Sequence, residues 1–255
     1  MPISIFIIAF NEADRIGATL AAVRHLTDDL IVVDSGSTDT TREVAEAHGA
    51  RVIVNAWPGY GPQKRFAEEQ CRHNWLLNLD ADEVVPPDLA AEIAGLFEKG
   101  EPAADGYAVR IGEIFPGEKA PHPWAYTLAP VRLYRRDRGR YVDSPVHDRV
   151  AFKDTPRIGR LKGIVHHFSV RSLGDQITKL NAYSEQQAAD LEARGKRLSH
   201  WRILTEFPLA FFKAYLGRRH CVRGLYGVAT AMNFAYFRWL RIAKHIERRR
   251  MRGEA

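Results

Sequence analysis

Continuous apolar runs alternating with helical periodicities organise the first hundred residues. Residues 3–9, ISIFIIA, form an unbroken β-rich run, as expected of a strand buried on both faces of a parallel sheet. Asn11 is an eligible helix cap. Ile16, Leu20, Val23 and Leu26 then recur at helical spacing, which predicts a helix over 12–26. Residues 30–33 read as a second buried strand ending at Asp34, followed by the turn-forming SGSTDTT and a helix that Gly49 closes. A third strand is expected over 51–54, a Pro/Gly-rich loop at AWPGYGP, and a helix over about 63–72. Residues 75–83, WLLNLDADE, run from a core strand straight into Asp80, Asp82 and Glu83. Pro87 and Asp88 open one more helix.

Strand and helix thus alternate four times in a hundred residues, the βαβ rhythm of a mostly parallel sheet with helices on both faces. Ligands of such sheets lie beyond the carboxyl ends of the strands. Asn11, Glu12, Asp34 and Asp80 all fall there. Clustered carboxylates repel and raise one another's pKa unless cations or strong donors stand among them. Two aspartates spaced i, i+2 can face one way. This arrangement suits either a hard divalent cation bridging to a diphosphate or a solvated acidic turn.

Beyond residue 105 the pattern changes. Short β-like pieces at 107–111, 131–134 and 164–168 predict a layer over the sheet edge that selects a second substrate, and from residue 172 the chain reads as helical and basic. The expected organisation is therefore 1–104, a βα part; 105–171, a further part of the same domain; and 172–255, a basic amphipathic helical region.

Composition narrows the setting. With 255 residues, 45% of them hydrophobic, the chain can build its core without staples. Cys71 and Cys221 form no CxxC or Cys/His cluster, so neither a disulfide framework nor a zinc site is indicated. The start lacks a basic n-region, and no uncharged run reaches the roughly 18 residues of a spanning helix, so a cytoplasmic protein is expected. The net charge of +6 conceals an asymmetry: residues 194–255 hold 15 Lys and Arg against 3 Asp and Glu, whereas the first 193 hold 22 against 28. Segments 203–216 and 225–240 are rich in Leu, Phe, Tyr and Trp and are flanked by cations. Such helices can lie on an anionic membrane surface or pack on a protein partner. Nucleic acid is not expected, since no recognition motif accompanies Arg248, Arg249 and Arg250.

Asn11-Glu12, the stretch from Val33 to Asp39 (VDSGSTD) and Asp80-Ala81-Asp82-Glu83 resemble the corresponding segments of family 2 inverting glycosyltransferases with the GT-A fold. The likeness extends to the lipopolysaccharide inner-core β-glucosyltransferase subgroup through GYGPQKR at 59–65, Val146-His147-Asp148 and the helix around 179–196. The resemblance implies that 1–104 are the nucleotide-sugar-binding part and 105–171 the acceptor-side part of one GT-A domain. It implies a UDP-sugar donor whose nucleotide pocket is lined by Asn11, unless that residue only caps its helix, and Glu12, with Asp34 accepting from the uracil N–H unless it only caps its turn. It implies Asp80 on ribose or metal, and Asp82 on Mg2+ or Mn2+ at the diphosphate. Lys64 and Arg65 follow a glycine-rich loop and could reach phosphate oxygens or stay solvated. The catalytic base falls to Asp148, where relatives carry Glu; His147 competes locally, and Asp143 and Glu113 are weaker candidates. His166 or His167 is either a metal ligand or a core histidine. The acceptor implied is a lipid-linked oligosaccharide such as a lipopolysaccharide inner core, met at the inner face of the cell membrane. A polyprenyl phosphate acceptor, another envelope glycan, or a catalytically silent membrane- or nucleic-acid-binding scaffold stand as alternatives.

Overall fold

The computed structural model describes residues 2–144, 148–196 and 198–253, and these gather into two compact units: Met1–Glu113 with Thr127–Phe168, and Ile114–Tyr126 with Ser169–Ala255. The segment expected to form one acceptor-side part is thus divided: 127–168 join the sheet, and 114–126 join the helices.

The first unit is built on a mixed sheet. Strands β1 (Ile3–Ala9), β2 (Asp29–Asp34), β3 (Arg51–Val54) and β4 (Trp75–Asp80) run parallel in the order β3-β2-β1-β4. Next come β8 (Val131–Arg135), antiparallel to β4, and β6 (Gly106–Glu113), antiparallel to β8 and so aligned with β4. β11 (Ile158–His167) pairs parallel with β6, the short β5 (Glu83–Val84) closes the edge antiparallel to β11, and β7 (Thr127–Leu128) hangs on β6. A separate ribbon joins β9 (Gly139–Tyr141) to β10 (Val150–Phe152).

Period-2 alternation decides which face each residue serves. Ile3, Ile5 and Ile7 of β1 join Leu77 and Leu79 of β4, Ile16, Leu20 and Val23 of helix α1 (Ile16–Val23), and Leu89 and Ile93 of helix α4 (Pro87–Phe97) in one core. Phe6, Ile31, Val33 and Leu76 point the other way and meet Ala67 of helix α3 (Tyr60–Gln70), Tyr134 and Tyr141. Each such side chain, fully buried, contributes about 1.5–3 kcal/mol of transfer free energy. Helix α2 (Thr41–Ala47) covers the β3 side and ends at Gly49, whose φ of 76° is the left-handed cap the sequence anticipates. Gly163 of β11 is needed for a different reason: a Cβ there would stand 2.6 Å from the Leu89 Cβ, so α4 could not lie as close to the strand.

The expected long helix over 12–26 is shorter. It is regular only from Ile16, with a 3-10 turn at Arg24–Leu26. Asn11 does not cap it. Its φ is 54°, and its Oδ1 accepts from the Thr38 amide at 2.9 Å, so its side chain serves the turn after β2 instead.

The second unit is helical: α5 (Leu173–Ala193), α6 (Arg202–Phe212) continued by a π turn at Lys213–Gly217, and α7 (Gly224–Met251), which packs on both α5 and α6. Ser172 caps α5 by accepting from the Asp175 amide. Buried Glu206 of α6 pairs with Arg202, Arg238 and Arg241. Among the described residues no helix is long and apolar enough to cross a membrane.

Asp29, at the start of β2, ties the amino edge of the sheet together and is almost wholly buried. Its Oδ2 accepts from Ser4 Oγ at 2.6 Å and from the Arg72 amide at 2.8 Å, and its Oδ1 from Arg51 at 3.1 Å. Burial alone would raise its pKa; the Ser4, Arg72 and Arg51 hydrogen bonds outweigh that and hold it lowered. A carboxyl depressed on folding adds stability above its unfolded value of about 3.9, and that stability fades as pH falls through the folded pKa. Asp29→Asn should therefore cost about 1–3 kcal/mol in urea unfolding at pH 7, with the gap to wild type narrowing below about pH 4; a gap that does not change with pH would refute this assignment.

Candidate active site at the carboxyl edge of the sheet

β1, β2 and β4 end at Ala9, Asp34 and Asp80, and β6 and β11, aligned with them, end at Glu113 and His167. The sheet therefore delivers Asn11 and Glu12, Asp34, the Asp80–Glu83 cluster and His167 to one edge.

Asp34 is fully buried and spends its oxygens on the following turn. Oδ1 accepts from the amides of Gly36 at 3.1 Å and Ser37 at 2.9 Å, and Oδ2 accepts from the Ser37 hydroxyl. In this conformation Asp34 shapes the turn. The same turn holds Asn11, whose amide donates to Ser37 Oγ at 2.9 Å. Glu12 accepts from the Arg15 Nε at 2.8 Å.

Lys64 is the largest departure from expectation. Instead of reaching outward to phosphate, its side chain is 1% exposed, and Nζ lies 3.0 Å from Asp80 Oδ1 and 2.8 Å from Asp148 Oδ2. The helix periodicity of α3 dictates this, because Gly61, Gln63, Lys64, Ala67 and Glu68 share its buried face. Gly61 allows the approach. Its amide donates to the Ser144 carbonyl at 3.0 Å, and a Cβ there would sit 2.2 Å from the Val142 carbonyl oxygen, pushing away the segment that leads toward Asp148. Burial alone would lower the Lys64 pKa, but the Asp80 charge above all keeps it raised, so the ammonium stays charged. Arg65 likewise turns to the protein, donating to the Tyr141 carbonyl at 3.1 Å.

Arg132 of β8 completes the compensation. Its guanidinium reaches Asn78 Oδ1 at 2.5 Å, Asp80 Oδ2 at 3.0 Å and Glu83 Oε1 at 3.0 Å. Burial disfavours an ionised Asp80, yet Arg132 and then Lys64 hold its carboxyl far below the usual range. Glu83 goes the other way: burial raises it, and Arg132 offsets only part of that. Its Oε2 accepts from the Asp80 amide at 2.9 Å, which makes Glu83 the orienting residue of the cluster.

Asp82 is held from two sides. The β5–β11 pairing sets His167 opposite Glu83 and brings its Nε2 to 3.3 Å from Asp82 Oδ1, while Arg15 Nη1 lies 3.3 Å from Oδ2. Burial would raise Asp82; the His167 hydrogen bond and charge, aided by Arg15, leave it lowered. Burial disfavours the charged imidazole of His167, but Asp82 and its acidic neighbours outweigh this and raise it to about 9. His166, the other candidate, is half-buried, and burial lowers its pKa.

Asp148 is 43% exposed beside Lys64. Asp143 is exposed, Glu113 ends β6, and His147 lies outside the described residues. Among the described residues no three His, Cys, Asp or Glu side chains cluster into a metal cage. Asp82 Oδ1 and His167 Nε2 are nevertheless neighbours, an oxygen donor and, once the imidazole gives up its proton, a nitrogen donor of the kind Mn2+ accepts. The residues therefore fit a divalent ion bound jointly with a substrate.

Arg15 and Arg132 escaped the sequence reading. A signal existed for the second: Arg132 stands between Val131 and Leu133 in β8, and Asn78 interrupts the apolar run of β4. Buried polar groups need partners, and these two are each other's.

The family model for glycosyl transferase family 2 matches residues 4–153, and the chain belongs to that family. It is a glycosyltransferase, with the GT-A arrangement of a mostly parallel sheet flanked by helices and a basic helical extension. It is 39% identical to the uncharacterized glycosyltransferase RP128 of Rickettsia prowazekii over 95% of this chain and 86% of that protein. It is 30% identical to the lipopolysaccharide core biosynthesis glycosyltransferase LpsC of Rhizobium meliloti, over 99% of this chain and 95% of that one. Among solved structures, glucosyl-3-phosphoglycerate synthase of Mycobacterium tuberculosis, in complex with Mn2+, uridine diphosphate and glucosyl-3-phosphoglycerate, is 27% identical over 45% of this chain and 44% of that one, at a TM-score of 0.35.

Lys64 and Asp148 differ sharply in what their removal should cost. Lys64→Met strands buried Asp80 without one of its cations and should lose about 3–5 kcal/mol in denaturant unfolding. Asp148→Asn removes one exposed member of an ion pair and should lose about 1 kcal/mol or less. Equal losses for the two variants would contradict the strut geometry.

Proposed function

We propose that the chain is a metal-dependent inverting hexosyltransferase that moves glucose from UDP-glucose onto a lipopolysaccharide inner-core or similar lipid-linked oligosaccharide. The observation that carries this reading is the joint tether of Asp80 and Asp148 to one buried cation, Lys64. It sets a diphosphate-side carboxylate and an exposed carboxylate suited to general base work at a fixed separation. The donor follows from the resemblance of the VDSGSTD and DADE segments. The acceptor class is supported by the relative named for lipopolysaccharide core biosynthesis.

In this reading the turn fixed by Asp34 and Asn11 forms the nucleotide side, with Glu12 beside it. Lys64 holds Asp80 and Asp148 in place, and Arg65 anchors the β9 ribbon behind them. Asp82, with Asp80 and His167 beside it, would hold a Mg2+ or Mn2+ ion, which would supply charge neutralisation for the diphosphate. The acceptor hydroxyl oxygen attacks the anomeric carbon from the face opposite the diphosphate. The bond from that carbon to the diphosphate oxygen breaks, UDP leaves with the bonding pair, and the hydroxyl proton passes to the Asp148 carboxylate. The result is one new glycosidic bond of inverted configuration. The helices of 172–255 bring the protein to the cytoplasmic face of the membrane that carries the acceptor.

The test is Asp148→Asn. UDP binding by calorimetry should persist while turnover with UDP-glucose and a core oligosaccharide falls about 100-fold or more, the range of a lost general base. Near-normal turnover would move that role to another group, His147 first.

A further inference from the structure

We infer that one face of α6 and its π-turn continuation is the surface that lies on an anionic phospholipid bilayer. This rests on the membrane reading above and assigns it to particular residues. Glu206, Ala210 and Ala214, spaced four apart, are the buried side of this helix. On the opposite side Trp201, Leu204, Leu209, Phe212 and Leu216 recur at three- to five-residue spacing, and all are between 57% and 75% exposed. A soluble protein rarely leaves a continuous apolar stripe of this length in water. α7 exposes Leu225, Met232, Tyr236 and Met251 spread over 28 residues, a sparser set than that of α6.

Charge selects the occupant. Between residues 193 and 246 the one carboxylate is Glu206, which is buried against Arg202, Arg238 and Arg241. Lys213, Arg218 and Arg219 are exposed along and beyond the stripe. Arg218 rests 4.3 Å from the Phe234 ring centroid, and Arg219 donates to the Trp124 carbonyl at 3.4 Å, so both heads are positioned. An apolar face rimmed by fixed cations fits lipid tails beneath anionic head groups. A second copy docked two-fold on the same stripe would set these cations against their own mates. At 16 residues, 202–217 is too short to span a bilayer and would lie in its plane.

The test is flotation of the full chain with vesicles of phosphatidylcholine alone or mixed with phosphatidylglycerol. Wild type should float with the mixed vesicles and far less with phosphatidylcholine. L204Q/L209Q/F212Q should lower the bound fraction about tenfold or more, and the milder Leu209→Gln about threefold. K213Q/R218Q/R219Q should erase the preference for phosphatidylglycerol. UDP should raise the melting temperature of every variant as it does that of wild type, which separates a failed surface from a failed active site. Equal flotation of wild type and the apolar variants would overturn the inference. So would absence of wild-type binding, or a wild-type dimer that the triple glutamine change splits into monomers.

Discussion

Three carboxylates within four residues can survive at the end of a core strand only if cations are buried among them. Lys64 and Arg132 meet Asp80, Arg132 also meets Glu83, and Arg15 and His167 meet Asp82. A buried pair of this kind gains little over an apolar substitute, but losing one partner is expensive, because the other charge is left in low dielectric. Much else follows from that constraint. α3 must place Lys64 inward, Gly61 must be small enough to admit the neighbouring loop, and β8 must carry a charged residue into the core.

The same pairing gives the site its geometry. Lys64 is short of exposed surface and long on partners, and its ammonium holds Asp80 and Asp148 to one point. Glu83 plays the corresponding part inside the cluster through the Asp80 amide. Arg15 joins Glu12, Asp82 and the Phe168 carbonyl, linking α1 to the end of β11. One guanidinium therefore joins Glu12, Asp82 and the end of β11.

Much of this was legible in the chain. Apolar runs and helical spacing disclosed the parallel strands β1 to β4 and their helices, because burial on both faces leaves an unmistakable pattern. The strand ends then located Asn11, Glu12, Asp34 and Asp80. Partners were not legible. Nothing in GYGPQKR says whether Lys64 points to solvent or to Asp80, since that depends on which face of α3 meets the sheet. Arg15, Arg132 and His167 come from distant segments that only the sheet order brings together. The turn-capping role of Asp34 was one of its two readings, whereas Asn11, read as a helix cap or a pocket residue, bonds to the Thr38 amide of the same turn.

The central claim is that Asp82 belongs to a joint metal and diphosphate site, and the most direct measurement is the thermal unfolding of wild type and Asp82→Ala with UDP, with and without Mn2+. Mass action raises the melting temperature of whatever binds the folded state alone. The account predicts that UDP stabilises wild type far more with Mn2+ than without it, and that Asp82→Ala loses this Mn2+-dependent increment. An increment of the same size in Asp82→Ala would contradict it.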